Sequence, residues 1–131
     1  MTKVAVTDNQ NVRWSVGNAL SFDDTTPAKT VEGVASVNLA SNGFQSIHAQ
    51  VVVTFGASAN GNATVKVRTS ADGGTTKDTI LMYEFDVEYT VSTTKRVSIV
   101  LDKVPWVEIG VYNGNSATED ITISGTYAGM R

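Results

Sequence analysis

Cysteine is absent, histidine occurs once, proline twice, and charged residues make up only 18% of the 131-residue chain. The lack of cysteine excludes disulfides, thiolate metal sites and cysteine nucleophiles, but it does not fix the compartment. A single histidine, His48, anchors no ordinary zinc site unless carboxylates complete it. No apolar run approaches the roughly 20 residues of a membrane span. The stretch Met1-Thr2-Lys3-Val4-Ala5-Val6-Thr7-Asp8 has no apolar core of a secretory signal. The chain therefore reads as made in a cytoplasm and used in soluble form or within an assembly. A net charge of −3 and a pI of about 5.0 leave no electrostatic footprint for nucleic acid. Lys95-Arg96 is the one adjacent basic pair and reads as a solvated strand end.

Thr, Ser, Asn and Gly take the place of charge, with many Val residues among them. That mixture suits strands joined by tight turns. The densest stretch runs from Val104-Pro105-Trp106 through Val107-Glu108-Ile109-Gly110-Val111-Tyr112 to Asn113-Gly114-Asn115. Val107, Ile109 and Val111 recur at every second position, the period of a β-strand. Trp106 and Tyr112 are large as well, so neither face reads as freely solvated. Pro105 lacks an N–H and suits the start of a strand. Asn113-Gly114 is a type I′ turn signal, which predicts a hairpin from this strand into Ile121–Tyr127. That pair reads as the spine of the fold.

The same alternation recurs along the chain. Val12, Trp14 and Val16 start a run that Gly17-Asn18 breaks, with Ala19 to Phe22 continuing it past a bulge. Val31 to Leu39 forms a second run. Ala49, Val51, Val53 and Phe55 share one face of a long strand, with His48, Gln50, Val52 and Thr54 on the other. Ala63, Val65 and Val67 alternate with Thr64, Lys66 and Arg68, an apolar-in, polar-out pattern. Leu81, Tyr83, Phe85, Val87 and Tyr89 line one face of the next strand. Val97, Ile99 and Leu101 mark another. Turn signals fall about every ten residues, and no 3.6-residue apolar stripe occurs. The expectation is all-β: one antiparallel β-sandwich of about eight strands, jelly-roll-like. Residues 1–131 read as a single domain, with residues 1–11 as an N-terminal arm.

Catalytic and metal motifs are sparse. No Gly-x-Ser-x-Gly elbow, Walker loop or dinucleotide-binding fingerprint is present. Asp23-Asp24 and Glu119-Asp120 are adjacent acids in loops, where acids are ordinarily hydrated. Asp72-Gly73-Gly74 with Asp78 lacks the alternating acids of an EF-hand and reads as a turn. No metal and no cofactor is expected. Glu108 stands out in an apolar strand and is assigned to a surface or a subunit interface, because a buried carboxylate needs a partner. Trp14, Phe22 and Trp106 read either as core packing or as an exposed aromatic platform, a feature that stacks sugars or anchors protein contacts. The candidate interface set is thus Trp14, Phe22, Trp106, Glu108 and Tyr112.

Residues 39–127 resemble a group of small tailed-bacteriophage structural proteins. The likeness runs through Leu39–Val51, Val65–Gly73, Thr94–Ile99, Trp106–Gly114 and Ile121–Tyr127. It rests most on the order of a proline-containing lead, an aromatic-V-x-V-G-V strand, here Trp106-Val107-Glu108-Ile109-Gly110-Val111, and a final strand near the C-terminus. The group resembles jelly rolls or related sandwiches. The resemblance implies a non-enzymatic capsid decoration or cement protein, made in the host cytoplasm and placed on the phage head of the virion. The partners it implies are the major capsid protein and copies of the chain itself, as a dimer or trimer. Nucleic acid and membrane are not among them. A tail or adaptor component, a carbohydrate-binding module and a small hydrolase built around His48 are the alternatives. No catalytic residue comes with the resemblance, and residues 1–38 lie outside it.

Overall fold

A computed structural model describes residues 14–22, 33–113 and 121–131. The chain is all-β. Its strands are β1 (Trp14–Ala19), β2 (Gly33–Asn38), β3 (Ser46–Phe55), β4 (Ala63–Thr69), β5 (Tyr83–Val87), β6 (Thr93–Asp102), β7 (Trp106–Asn113) and β8 (Ile121–Met130). They form two four-stranded antiparallel sheets, ordered β1-β8-β3-β6 and β2-β7-β4-β5. First pairs with last, second with seventh, third with sixth and fourth with fifth. That nesting is a long hairpin wound on itself, the jelly-roll arrangement of a β-sandwich.

The expected spine is corrected. β7 and β8 lie in different sheets, and the turn at Gly114 lies outside the described residues. Both edges of β7 are already occupied, by β2 and β4, so it has no free edge for β8. β8 instead runs between β1 and β3.

The core lies where the period of two places it. Ala49, Val51, Val53 and Phe55 of β3 face Ala63, Val65 and Val67 of β4 and Val107, Ile109 and Val111 of β7, all sealed from solvent. Each such Val or Ile contributes roughly 1.5–3 kcal/mol by leaving water. β3 braces the first sheet. It pairs from Ser46 to Phe55 with β6 on one side and β8 on the other. In β1, the register shifts between Ser15 and Asn18, which is the bulge expected at Gly17. Asn18 closes it by donating to the carbonyls of Ser15 (2.9 Å) and Tyr127 (3.3 Å).

β5 is shorter than the alternation suggests. Leu81 and Tyr89 fall outside it, and Tyr83 is exposed. The N–H groups of Asp78 and Met82 donate to the β4 carbonyls of Thr69 and Val67 (2.9 and 2.8 Å). Thr79, Ile80 and Leu81 stand between those two bonds where β4 has only Arg68, so the chain bulges there. The N-terminal arm expected over residues 1–11 lies outside the described residues, as do Asp23-Asp24 and Glu119-Asp120.

Candidate functional site

Two surfaces stand out: the outer face of the sheet containing β7, and the rim where β5 and β6, end strands of the two sheets, flank an apolar groove. Alternation sends Trp106, Glu108, Gly110 and Tyr112 of β7 away from the core. Ladder pairing sets Glu108 beside Arg68 of β4 and Ser36 of β2, and Trp106 beside Asn38.

The β4–β5 loop folds over this row. Ser70 is buried at its root, and its Oγ accepts from the Gly74 N–H (2.9 Å). The Asp72 carboxylate accepts from the Thr76 N–H (2.8 Å) and the Ser70 hydroxyl (2.7 Å). Those hydrogen bonds hold the Asp72 pKa below its ordinary value. Thr69 Oγ1 donates to Asp78 Oδ2 (2.8 Å) and clamps the loop's far end. Gly74 thereby lies against the Trp106 indole with φ of 97°, where a Cβ would stand only 2.7 Å from the ring. Trp106 is left 7% exposed.

The loop also delivers Lys77. Its Nζ lies 2.9 Å from Glu108 Oε2 and 5.7 Å from the Trp106 ring centroid. Arg68 Nε donates to Glu108 Oε1 at 2.7 Å. The Glu108 side chain is 11% exposed. Burial alone raises its pKa, but the hydrogen bonds and charges of Lys77 and Arg68 prevail and hold it below the ordinary value. A carboxylate kept ionised and engaged on both oxygens has no proton to donate and little capacity left for a ligand. Glu108 fastens the β4–β5 loop to β4 and β7.

Beside it lies a shallow polar hollow of about 550 Å³ lined by Thr64, Lys66, Glu84, Phe85, Asp86 and Tyr112. Its groups are also tied together. Lys66 lies 3.5 Å from Glu84 and 4.5 Å above the Tyr112 ring, and Thr64 Oγ1 donates to Asp86 Oδ1 (2.9 Å).

Of the two readings of Trp14, Phe22 and Trp106, a shared aromatic platform and core packing, the structure brings the three to no common exposed face. Trp14 is 44% exposed on β1, an outer strand of the other sheet. Phe22 packs against the core, and Trp106 is covered by the loop. Trp106, Glu108 and Tyr112 do share one face, but Glu108 is enclosed rather than offered at the surface. His48 is exposed on β3, opposite Val100 and Ala128. Among the described residues, no three His, Asp or Glu side chains gather as a metal set.

The sequence reading missed the rim. Ile80, Met82, Tyr83, Tyr89, Val91 and Val100 are all exposed and all belong to β5, β6 or the segments flanking β5. Ile80 is 83% and Val100 60% exposed. An apolar groove of about 320 Å³ opens between Tyr83 and Phe85 of β5 and Ser98, Ile99 and Val100 of β6. The signal was present at Val100, which breaks the alternation of β6 by putting a valine on the outer face.

No protein-family model matches the chain. No curated protein matches it either. Solved structures do. One is the T13 viral particle of IBDV, with a TM-score of 0.53 at 10% identity over 92% of this chain and 32% of that one. Another is the Clostridium thermocellum xylanase 10B, its CBM22-1 and GH10 modules complexed with xylohexaose. It gives a TM-score of 0.52 at 6% identity over 91% of this chain and 26% of that one. A third, from Bacillus endospore appendages described as disulfide-linked pili, gives 0.46 at 14% identity over 89% and 87%. The chain thus spans about a third of the viral protein and a quarter of the xylanase. At these identities the likeness establishes the β-sandwich fold, shared by viral capsid proteins and by proteins with carbohydrate-binding modules.

Proposed function

We propose that the chain is a non-enzymatic virion structural protein, a decoration or cement protein on the outside of a phage head. The observation that carries this reading is how the surface divides. The charged residues around β7 are tied to one another, while apolar side chains stand uncovered at the sandwich edges. A shell clamp needs extended contact area and no catalytic constellation. Trp14 and Val16 on β1 and the β5–β6 rim supply such area. The resemblance of residues 39–127 to small phage structural proteins supports the same reading. The partners are the major capsid protein and further copies of the chain. Because the clamp binds only the assembled shell, it stabilises that state by mass action.

Co-sedimentation tests this directly. The protein should pellet with mature shells that lack it and bind procapsids poorly. Replacing Trp14 and Val16 together, by Trp14→Ala and Val16→Ser, should reduce the pelleted fraction. Failure to bind mature shells would sink the proposal.

A second reading is favoured by the polar hollow around Tyr112. Hydroxyl, carboxylate and ammonium groups beside an aromatic ring suit a glycan, as expected of a tail or surface-binding component. A glycan screen with Tyr112→Ala as control separates the two. Specific glycan binding lost in that variant favours the second.

A further inference from the structure

We infer that the outer edge of β6 is a self-association surface, on which a second copy of the chain adds its own β6 antiparallel about a two-fold axis at Ile99. β6 ends its sheet and runs for ten residues. Among the described residues, no strand pairs with its outer edge. A long open edge is a template for another strand unless charge, proline or a bulge blunts it. Val97 to Leu101 carries none of these. Charges flank it instead, with Arg96 before and Asp102 after, both exposed.

That placement makes the strand complementary to itself. A two-fold axis normal to the sheet puts opposed residues on the same face, so the axis must pass through a residue rather than between two. With the axis at Ile99, Arg96 of each copy meets Asp102 of the other. Val97 then meets Leu101, and Ser98 meets Val100. With the axis at Ser98, Arg96 meets Val100 and Asp102 meets Thr94, so both charges go unmatched. In this register the numbering also sets Lys95 of each copy opposite Lys103 of the other, but the two are drawn apart. Lys95 Nζ donates to the Glu88 carbonyl, and Lys103, with φ of 58°, has left the strand. A foreign strand would have no need of this internal symmetry, which is why the occupant is a second copy.

Strand pairing alone buries less than the roughly 1,000 Å² of a stable interface. The rim must supply the remainder. Exposed Tyr83 and Val100 both line the apolar groove between β5 and β6 at this edge. The first sheet thereby continues through the dimer as a single eight-stranded sheet.

The test is sedimentation of the purified protein from about 1 μM to 1 mM, a span that covers weak to moderate association. The expected result is a concentration-dependent dimer. Arg96→Asp opposes like charges at two places per dimer and should raise the dissociation constant roughly tenfold or more. Asp102→Arg alone should do the same. Combining Arg96→Asp with Asp102→Arg restores the pairing with its signs exchanged and should recover the dimer. Circular dichroism checks that each variant keeps its β structure. A monomer throughout overturns the inference, and so does a dimer that either single variant leaves unchanged or the combination fails to recover. All of these measurements use the protein alone, so their failure is separate from failure to bind a shell.

Discussion

Glu108 is the residue whose replacement should be most informative. Glu108→Gln keeps the size and one acceptor oxygen but removes the charge. Arg68 and Lys77 then lose their shared counter-ion. A hydrogen bond to a charged group is worth about 1.5–3 kcal/mol, and breaking a fully buried ion pair costs about 3–5 kcal/mol. This triad falls short of full burial. Glu108 is 11% exposed, but Arg68 and Lys77 keep 36% and 39% of their side-chain surface in solvent. Water recovers part of what they lose, and solvent screening weakens each pair. The expected loss is about 1–2 kcal/mol, or roughly 3–10 °C in Tm for a domain of this size.

The pH dependence sharpens the test. The folded-state pKa of Glu108 lies below its unfolded value near 4.5. The unfolded chain therefore takes up the proton first as pH falls. The stabilisation is complete above the unfolded value and is lost as pH drops through the folded one. The gap between wild type and Glu108→Gln should be largest at neutral pH and close in acid. Urea titrations at pH 7, 5 and 3.5, followed by tryptophan fluorescence in a Trp14→Phe background, read this at Trp106. A gap below about 0.5 kcal/mol at pH 7, the range of ordinary surface substitutions, would refute the triad's role. A gap unchanged in acid would refute its electrostatic origin.

Other outcomes follow from the same geometry. Gly74→Ala forces an alanine to φ of 97° and a Cβ into the Trp106 ring, so it should cost about 2–3 kcal/mol and shift Trp106 emission to the red. Val53→Ala leaves a cavity at a fully buried site between the sheets and should cost about 2–3 kcal/mol by thermal unfolding. Ile80→Ser, at an 83% exposed position, should change stability by less than about 0.5 kcal/mol.

The strands were legible because alternation is local. Ala49 to Phe55, Ala63 to Val67 and Val97 to Leu101 each state their inward face in a few residues, and the structure buries those faces. Pairing was not legible. Asn113-Gly114 is a strong local hairpin signal, yet β7 takes β2 and β4 as neighbours, partners distant in sequence. The enclosure of Glu108 was illegible for the same reason. Its partners Arg68 and Lys77 lie 40 and 31 positions earlier, in β4 and in the loop that follows it. No periodicity announces that they converge. The covering of Trp106 depended on Gly74, whose value lies in the backbone shape of a loop rather than in any alternation.

The surface divides along the same line as the sequence signals. Across a sheet face, neighbouring strands bring opposite charges within reach, and the outer face of β7 is closed by Arg68, Lys77 and the loop around Ser70. At an edge no neighbour exists to close anything, and the chain there must either blunt the strand or use it. β6 carries its charges only at its ends, and Val100 stands exposed at its centre beside an apolar groove. A chain selected only to stay monomeric gains by placing a lysine where Val100 stands, since charge at an edge deters pairing. Keeping valine there, with Arg96 and Asp102 spaced to meet in an antiparallel copy, is what the proposed self-association requires.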